Sequence, residues 1–151
     1  MRDVEEFIEK AKQLYGYDYF LNDAGGSICE LNDPETLEIL AKNTLILYLR
    51  ADDAMEEKMT QRAINAPKPM YYQNEFLDLQ LSEYLKETGL NNAEEIIPDE
   101  FVRWIFPKHV KNRRSKYQAI AEKYGYTVDA RLAENVKNEA QFLNMIAETL
   151  G

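Results

Sequence analysis

Thr44-Leu45-Ile46-Leu47-Tyr48-Leu49 is the stretch whose reading decides the fold. A near-continuous apolar run closed by Arg50 reads as a strand buried on both faces, the habit of a central parallel strand. Parallel strands cannot be joined by a tight hairpin and need a crossover, usually a helix. The residues just upstream supply one. Asp33-Pro34 offers an N-cap followed by proline at the first helical position, and Leu37, Ile39 and Leu40 form the apolar side. Farther upstream, Tyr17–Leu21 reads as a second buried strand, with Gly16 before it and Gly25 and Gly26 after it. Strand, helix and strand in that order make a βαβ unit. The expected architecture is therefore α/β, a small parallel sheet of about three strands flanked by many helices. One domain spanning residues 1–151 is the expectation from length.

The remaining segments fill in the helices. Val4, Phe7, Ile8, Ala11 and Leu14 recur at helical spacing, and Gly16 is a good residue to stop that helix. A further helix starts near Asp52 and ends before Pro67, with Ala54, Met55, Met59 and Ala63 as its packing positions. Pro67-Lys68-Pro69 forbids a helix. Beyond it, Phe76, Leu77, Leu81, Tyr84 and Leu85 mark a helix that Gly89 ends. Pro98-Asp99-Glu100 opens the next, which Pro107 is expected to interrupt before a basic helix resumes through Tyr117, Ile120, Ala121 and Tyr124. Gly125 is expected to end that helix, and Tyr126-Thr127-Val128 forms the third strand. Val136, Ala140, Leu143, Ala147 and Leu150 give the last helix its apolar face.

Composition excludes several classes. Hydrophobic residues make up 45% of the chain and charged residues 30%, ordinary for a globular protein. No apolar run approaches the ~20 residues that cross a bilayer, and the acidic N-terminus does not read as a signal peptide. The cytoplasm is the expected location. A net charge of −9 disfavours general binding to nucleic acid, because the field of the whole molecule repels phosphate. The exception is local: Lys108, Lys111, Arg113, Arg114 and Lys116 crowd one stretch around His109, either as an anion-binding surface or as a solvated helix offsetting the acidic remainder. Cys29 is the only cysteine and His109 the only histidine, so neither an internal disulfide nor a histidine-rich metal site can form.

Two groups of residues carry possible chemistry. Asp23, at the exit of the first expected strand, is placed to hold a Mg²⁺-bound water or to accept a proton as the catalytic residue. Gly25, Gly26 and Ser27 would offer backbone amides and a hydroxyl to a phosphate or other oxyanion. The same residues also suit a turn that caps a short helix. The second group is Arg50, Arg62 and Lys68. Arg50 ends a strand, where open parallel sheets face their ligand, and Arg62 and Lys68 would close over phosphates from a flap. As solvent-facing cations they would be inert.

Taken together, the order of strand, Asp23-Ala24-Gly25-Gly26-Ser27 loop, helix, strand Leu45–Leu49, helix ending near Arg62, then Lys68-Pro69-Met70 resembles the latter half of P-loop kinases of the shikimate-kinase type. Nearly the whole chain is similar to the C-terminal region of a group of bacterial ATPases. Asn22 to Ser27, Leu45–Arg50, Pro67-Lys68-Pro69-Met70-Tyr71-Tyr72, Phe101-Val102-Arg103-Trp104 and Tyr124-Gly125-Tyr126-Thr127-Val128 carry that similarity. The resemblance implies that Asp23 is the acidic residue at the third core strand. It makes Gly25 and Gly26 the substrate-side glycines and Arg62 the basic residue of the lid helix. Lys68 stands where the kinases have arginine, keeping the charge but losing bidentate geometry. ATP and Mg²⁺ are the implied cofactors of a complete protein.

The chain departs from the family at one decisive point, since it contains no G-x-x-x-x-G-K-[ST] loop. The expected function is accordingly the C-terminal half of a P-loop ATPase or kinase, contacting phosphate but not hydrolysing ATP autonomously. It would work beside a P-loop-containing half or a second copy of itself. A non-catalytic interaction module on the same scaffold is the alternative, and a small-molecule transferase using Cys29 is a third reading.

Overall fold

The structure, a computed structural model, describes residues 1–24, 28–31 and 33–151. They form two compact units, residues 1–50 with 115–151, and residues 51–114. The fold is α/β and mostly helical, with seven α-helices and one small parallel sheet among the described residues. None of these helices is long and apolar enough to cross a membrane.

In the first unit, α1 (Val4–Tyr15) ends as its glycine demands. Gly16 adopts φ 65°, and the amides of Gly16 and Tyr17 return to the carbonyls of Lys12 and Ala11. Helix α2 (Pro34–Asn43) starts at the expected cap, where Asp33 accepts from the Thr36 amide at 3.3 Å. Strand β1 (Ile46–Arg50) follows, and β2 (Gly125–Asp129) is its parallel partner, with Ile46 opposite Gly125 and Arg50 opposite Asp129. After β2 come α6 (Ala130–Glu134) and α7 (Glu139–Leu150), both lying against β2. Val4, Cys29, Thr36, Leu40, Ala121, Val128 and Met145 are buried in this unit.

The second unit holds α3 (Asp53–Asn65), α4 (Asn74–Thr88) and the first part of α5 (Pro98–Tyr124), whose residues from Ser115 on belong to the first unit. Tyr84 meets Phe101 and Trp104 edge-on at 5.1 Å, and the rings of Tyr72 and Phe76 surround His109. Tyr84, Gln80, Ile105 and His109 are buried.

Three expectations are corrected. Tyr17–Leu21 is not a strand: its first amide is spent on capping α1, it pairs with nothing in the sheet, and Tyr17, Tyr19, Phe20 and Leu21 are exposed. The described sheet consequently has two strands rather than three, and the parallel pairing joins β1 to β2 instead of closing a βαβ unit across α2. Pro107 does not interrupt α5. It forfeits one backbone hydrogen bond, but buried Ile105 and His109 on either side of it hold the helix in place. As expected, α5 ends directly before Gly125, which itself opens β2.

The start of this unit gives a first expected result. Arg2 reaches Asp33 at 2.9 Å, and the Thr36 hydroxyl donates to the same carboxylate at 2.7 Å. The Thr36 hydroxyl and Arg2 lower the Asp33 pKa from 3.8 to about 2. A depressed carboxylate pKa stabilises the fold above the unfolded value, and that stabilisation is lost as pH falls through the folded one. Between about pH 4 and pH 2, the thermal midpoint should therefore fall less steeply in Asp33→Asn than in the parent protein.

Candidate functional site

The carboxyl ends of β1 and β2 are the natural place to look, because ligands in parallel sheets bind beyond those ends. Arg50 is the last residue of β1, exposed, and in register with Asp129. Among the described residues its guanidinium makes no hydrogen bond and no close ion pair. Asp129 is held from the other side. It caps α6 by accepting the Arg131 amide at 2.9 Å, and the Arg131 side chain donates to both its oxygens at 3.3 and 3.0 Å. Those side-chain bonds, then the Arg131 amide and the charge of Arg50, lower the Asp129 pKa. Arg131 thus holds the Asp129 carboxylate directly, and the charge of Arg50 acts on it as well.

The sequence-derived site residues fall as follows. Asp23 is exposed in an irregular segment. Gly25, Gly26 and Ser27 lie outside the described residues. Arg62 is exposed in the last turn of α3, and Lys68 is exposed in the connection between α3 and α4, both in the second unit, whereas Asp23 and Arg50 belong to the first. Among the described residues no three His, Cys, Asp or Glu side chains gather to hold a metal ion. Mg²⁺ ordinarily takes one or two carboxylates together with water and substrate phosphates, so Asp23 fits only as a single carboxylate in such a shell.

Sequence reading missed the contact that anchors the residues after Ser27. Cys29 and Glu30 form a single 3₁₀ turn with Ile28, and the Glu30 carboxylate, only 5% exposed, meets Lys116 of α5 at 3.2 Å. Cys29 is buried beside it, its thiol 3.8 Å from Glu30 Oε1. Nearby in sequence, Tyr117 stacks on Tyr48 of β1 at 5.4 Å. Glu30 and Lys116, 86 positions apart, carry no local signal of their pairing; only the fold makes it. Because removing one partner of a largely buried ion pair is costly, Lys116→Met should destabilise the protein by about 2 kcal/mol in urea unfolding, and Lys116→Arg by clearly less.

The same run shows how the basic stretch is used. Lys108 pairs with Glu83 at 2.9 Å and sits 3.5 Å from the centre of the Trp104 ring. Arg114 lies 3.4 Å from Asp53 and 3.3 Å from Glu56. The Trp104 indole donates to Glu87 at 2.8 Å. These cations are committed to carboxylates within the protein, as a helix offsetting an acidic chain requires, and Trp104 packs against Tyr84 rather than offering a free face.

No family model, curated protein or solved structure matches the chain.

Proposed function

We propose that this chain is the substrate-side part of a phosphate-ligand protein of P-loop kinase type, whose sheet is completed by strands outside these 151 residues. One observation carries the reading: Arg50 ends a parallel strand in register with Asp129 and, among the described residues, makes no hydrogen bond and no close ion pair. Two parallel strands on their own are an unusual sheet, since parallel sheets are normally wider and covered on both faces. Within this reading Arg50 receives an anionic phosphate oxygen, and Arg131 is kept in place by Asp129. Asp23 is the residue that would hold a water of Mg²⁺. Gly25, Gly26 and Ser27 would supply amides and a hydroxyl. Without a Walker A lysine the chain binds nucleotide weakly and does not turn it over by itself.

Titration calorimetry with Mg²⁺-ATP at millimolar nucleotide tests this. Weak one-site binding is expected, weakened about tenfold in Arg50→Gln, as befits the loss of one charged hydrogen bond. Phosphate release should stay at the level of a protein-free control. Absence of binding in the folded parent protein would overturn the proposal.

A second reading has its own observation. Leu14, Tyr15, Tyr17, Tyr19, Phe20 and Leu21 are all exposed, Leu21 to 79%. So many large apolar side chains within a few residues mark an interaction surface rather than an ordinary exposed one. In this reading the chain is a protein-interaction module built on the same scaffold.

A further inference from the structure

The exposed segment after α1 is not uniformly apolar. Gly16, Tyr17, Asp18, Tyr19 and Glu139 line a shallow recess on the first unit. Its shape follows from the helix stop. The left-handed turn at Gly16 folds Tyr17 back so that its ring stacks on Tyr15, with centroids 5.5 Å apart and planes 14° from parallel. Tyr17 and Tyr19 remain 61% and 59% exposed. Asp18 lies between them, and Glu139 joins from the first turn of α7. Neither carboxylate has an ion-pair partner among the described residues, unlike Glu6, Asp33, Glu83 and Asp129, each of which meets a lysine or arginine.

Aromatic faces beside uncompensated carboxylates favour one kind of occupant. The negative face of a tyrosine ring attracts an organic cation, and a planar guanidinium also stacks on it. We infer that this recess seats an arginine side chain of a partner protein, with the guanidinium over the Tyr17 or Tyr19 ring and its charge matched by Asp18 and Glu139. The inference rests on the interaction-module reading and gives its partner a chemistry: a segment carrying arginine, drawn to an acidic chain. The recess does not involve Arg50, so nucleotide binding and arginine binding stand or fall separately.

The test uses a short acetylated, amidated glycine peptide containing one arginine, titrated into the full chain while tyrosine ring signals are followed by NMR. Its control is the same peptide with citrulline, which keeps the shape and removes the charge. Saturable shifts confined to a few tyrosine rings are expected with arginine and not with citrulline. Binding should weaken roughly fivefold in the double variant Asp18→Asn/Glu139→Gln, as the loss of two exposed charge contacts implies. Tyr17→Leu, which keeps the apolar bulk and removes the aromatic face, should weaken it as well. Equal shifts with citrulline, or unchanged affinity in both variants, would overturn the inference. So would a parent protein whose tyrosine signals do not respond.

Discussion

Gly125→Ala is expected to cost about 3 kcal/mol, at the upper end of what overpacking a filled site costs. The added methyl would overlap the Ile46 carbonyl oxygen and come within 2.8 Å of Ile46 Cβ and 3.0 Å of its carbonyl carbon. Backbone cannot swing aside as a flexible side chain can, so the relief must come from parting the two strands. Gly125 and Ile46 are paired residues at the start of the β1–β2 ladder. Parting them there also disturbs Leu49 and Val128, the second of which is almost fully buried. Urea unfolding followed by far-UV circular dichroism measures the loss. A change within about 0.5 kcal/mol, typical of a neutral surface site, would mean that the strands do not pack in this register.

Ile105→Ala should cost a similar amount, about 3–4 kcal/mol, but in the other unit. Ile105 has no exposed surface and sits in α5 between Trp104 and the buried His109. Truncation removes three carbons from a filled site, and the cavity left behind adds to the lost transfer energy. Ile105→Val removes one carbon and should cost only about 1 kcal/mol. Trp104 is the only tryptophan and is the neighbouring residue, so its fluorescence reports this unit specifically. A large effect of Gly125→Ala seen by circular dichroism, with a smaller one seen by Trp104, would show that the two units unfold separately.

Much of the local structure was legible because its causes are local. Gly16 and Gly89 end helices in the left-handed conformation, and Asp33 and Asp52 cap helices through their side chains. The apolar run around Ile46–Leu49 is a strand of a parallel pair. What misled was pattern without partner. Tyr17–Leu21 has the composition of a strand, yet a strand exists only when another pairs with it, and here the first amide already caps α1. Phe7 and Leu14 follow the helical period faithfully but are exposed, since periodicity says which residues share a face and not whether anything covers it. Pro107 reads as a stop from its own chemistry, and the burial of Ile105 and His109 outweighs it.

The site was legible to a smaller degree. The place of Arg50 at the carboxyl end of β1 was legible because a cation directly after an apolar run lands there whatever the rest of the fold does. Asp129 and Arg131, which complete that end of the sheet, follow a short strand whose pairing with β1 spans 79 residues of sequence and leaves no local trace. The Glu30–Lys116 pair is hidden for the same reason.

Amide hydrogen–deuterium exchange with and without saturating Mg²⁺-ATP addresses the central claim most directly, because it locates a ligand as well as detecting one. Phosphate binding at the carboxyl end of the parallel pair predicts slower exchange in peptides covering Leu49 to Asp52, Asp129 to Arg131 and Asp23 to Glu30, with the loss of that protection in Arg50→Gln. Protection that is absent from these three segments, or that survives in Arg50→Gln, would contradict it.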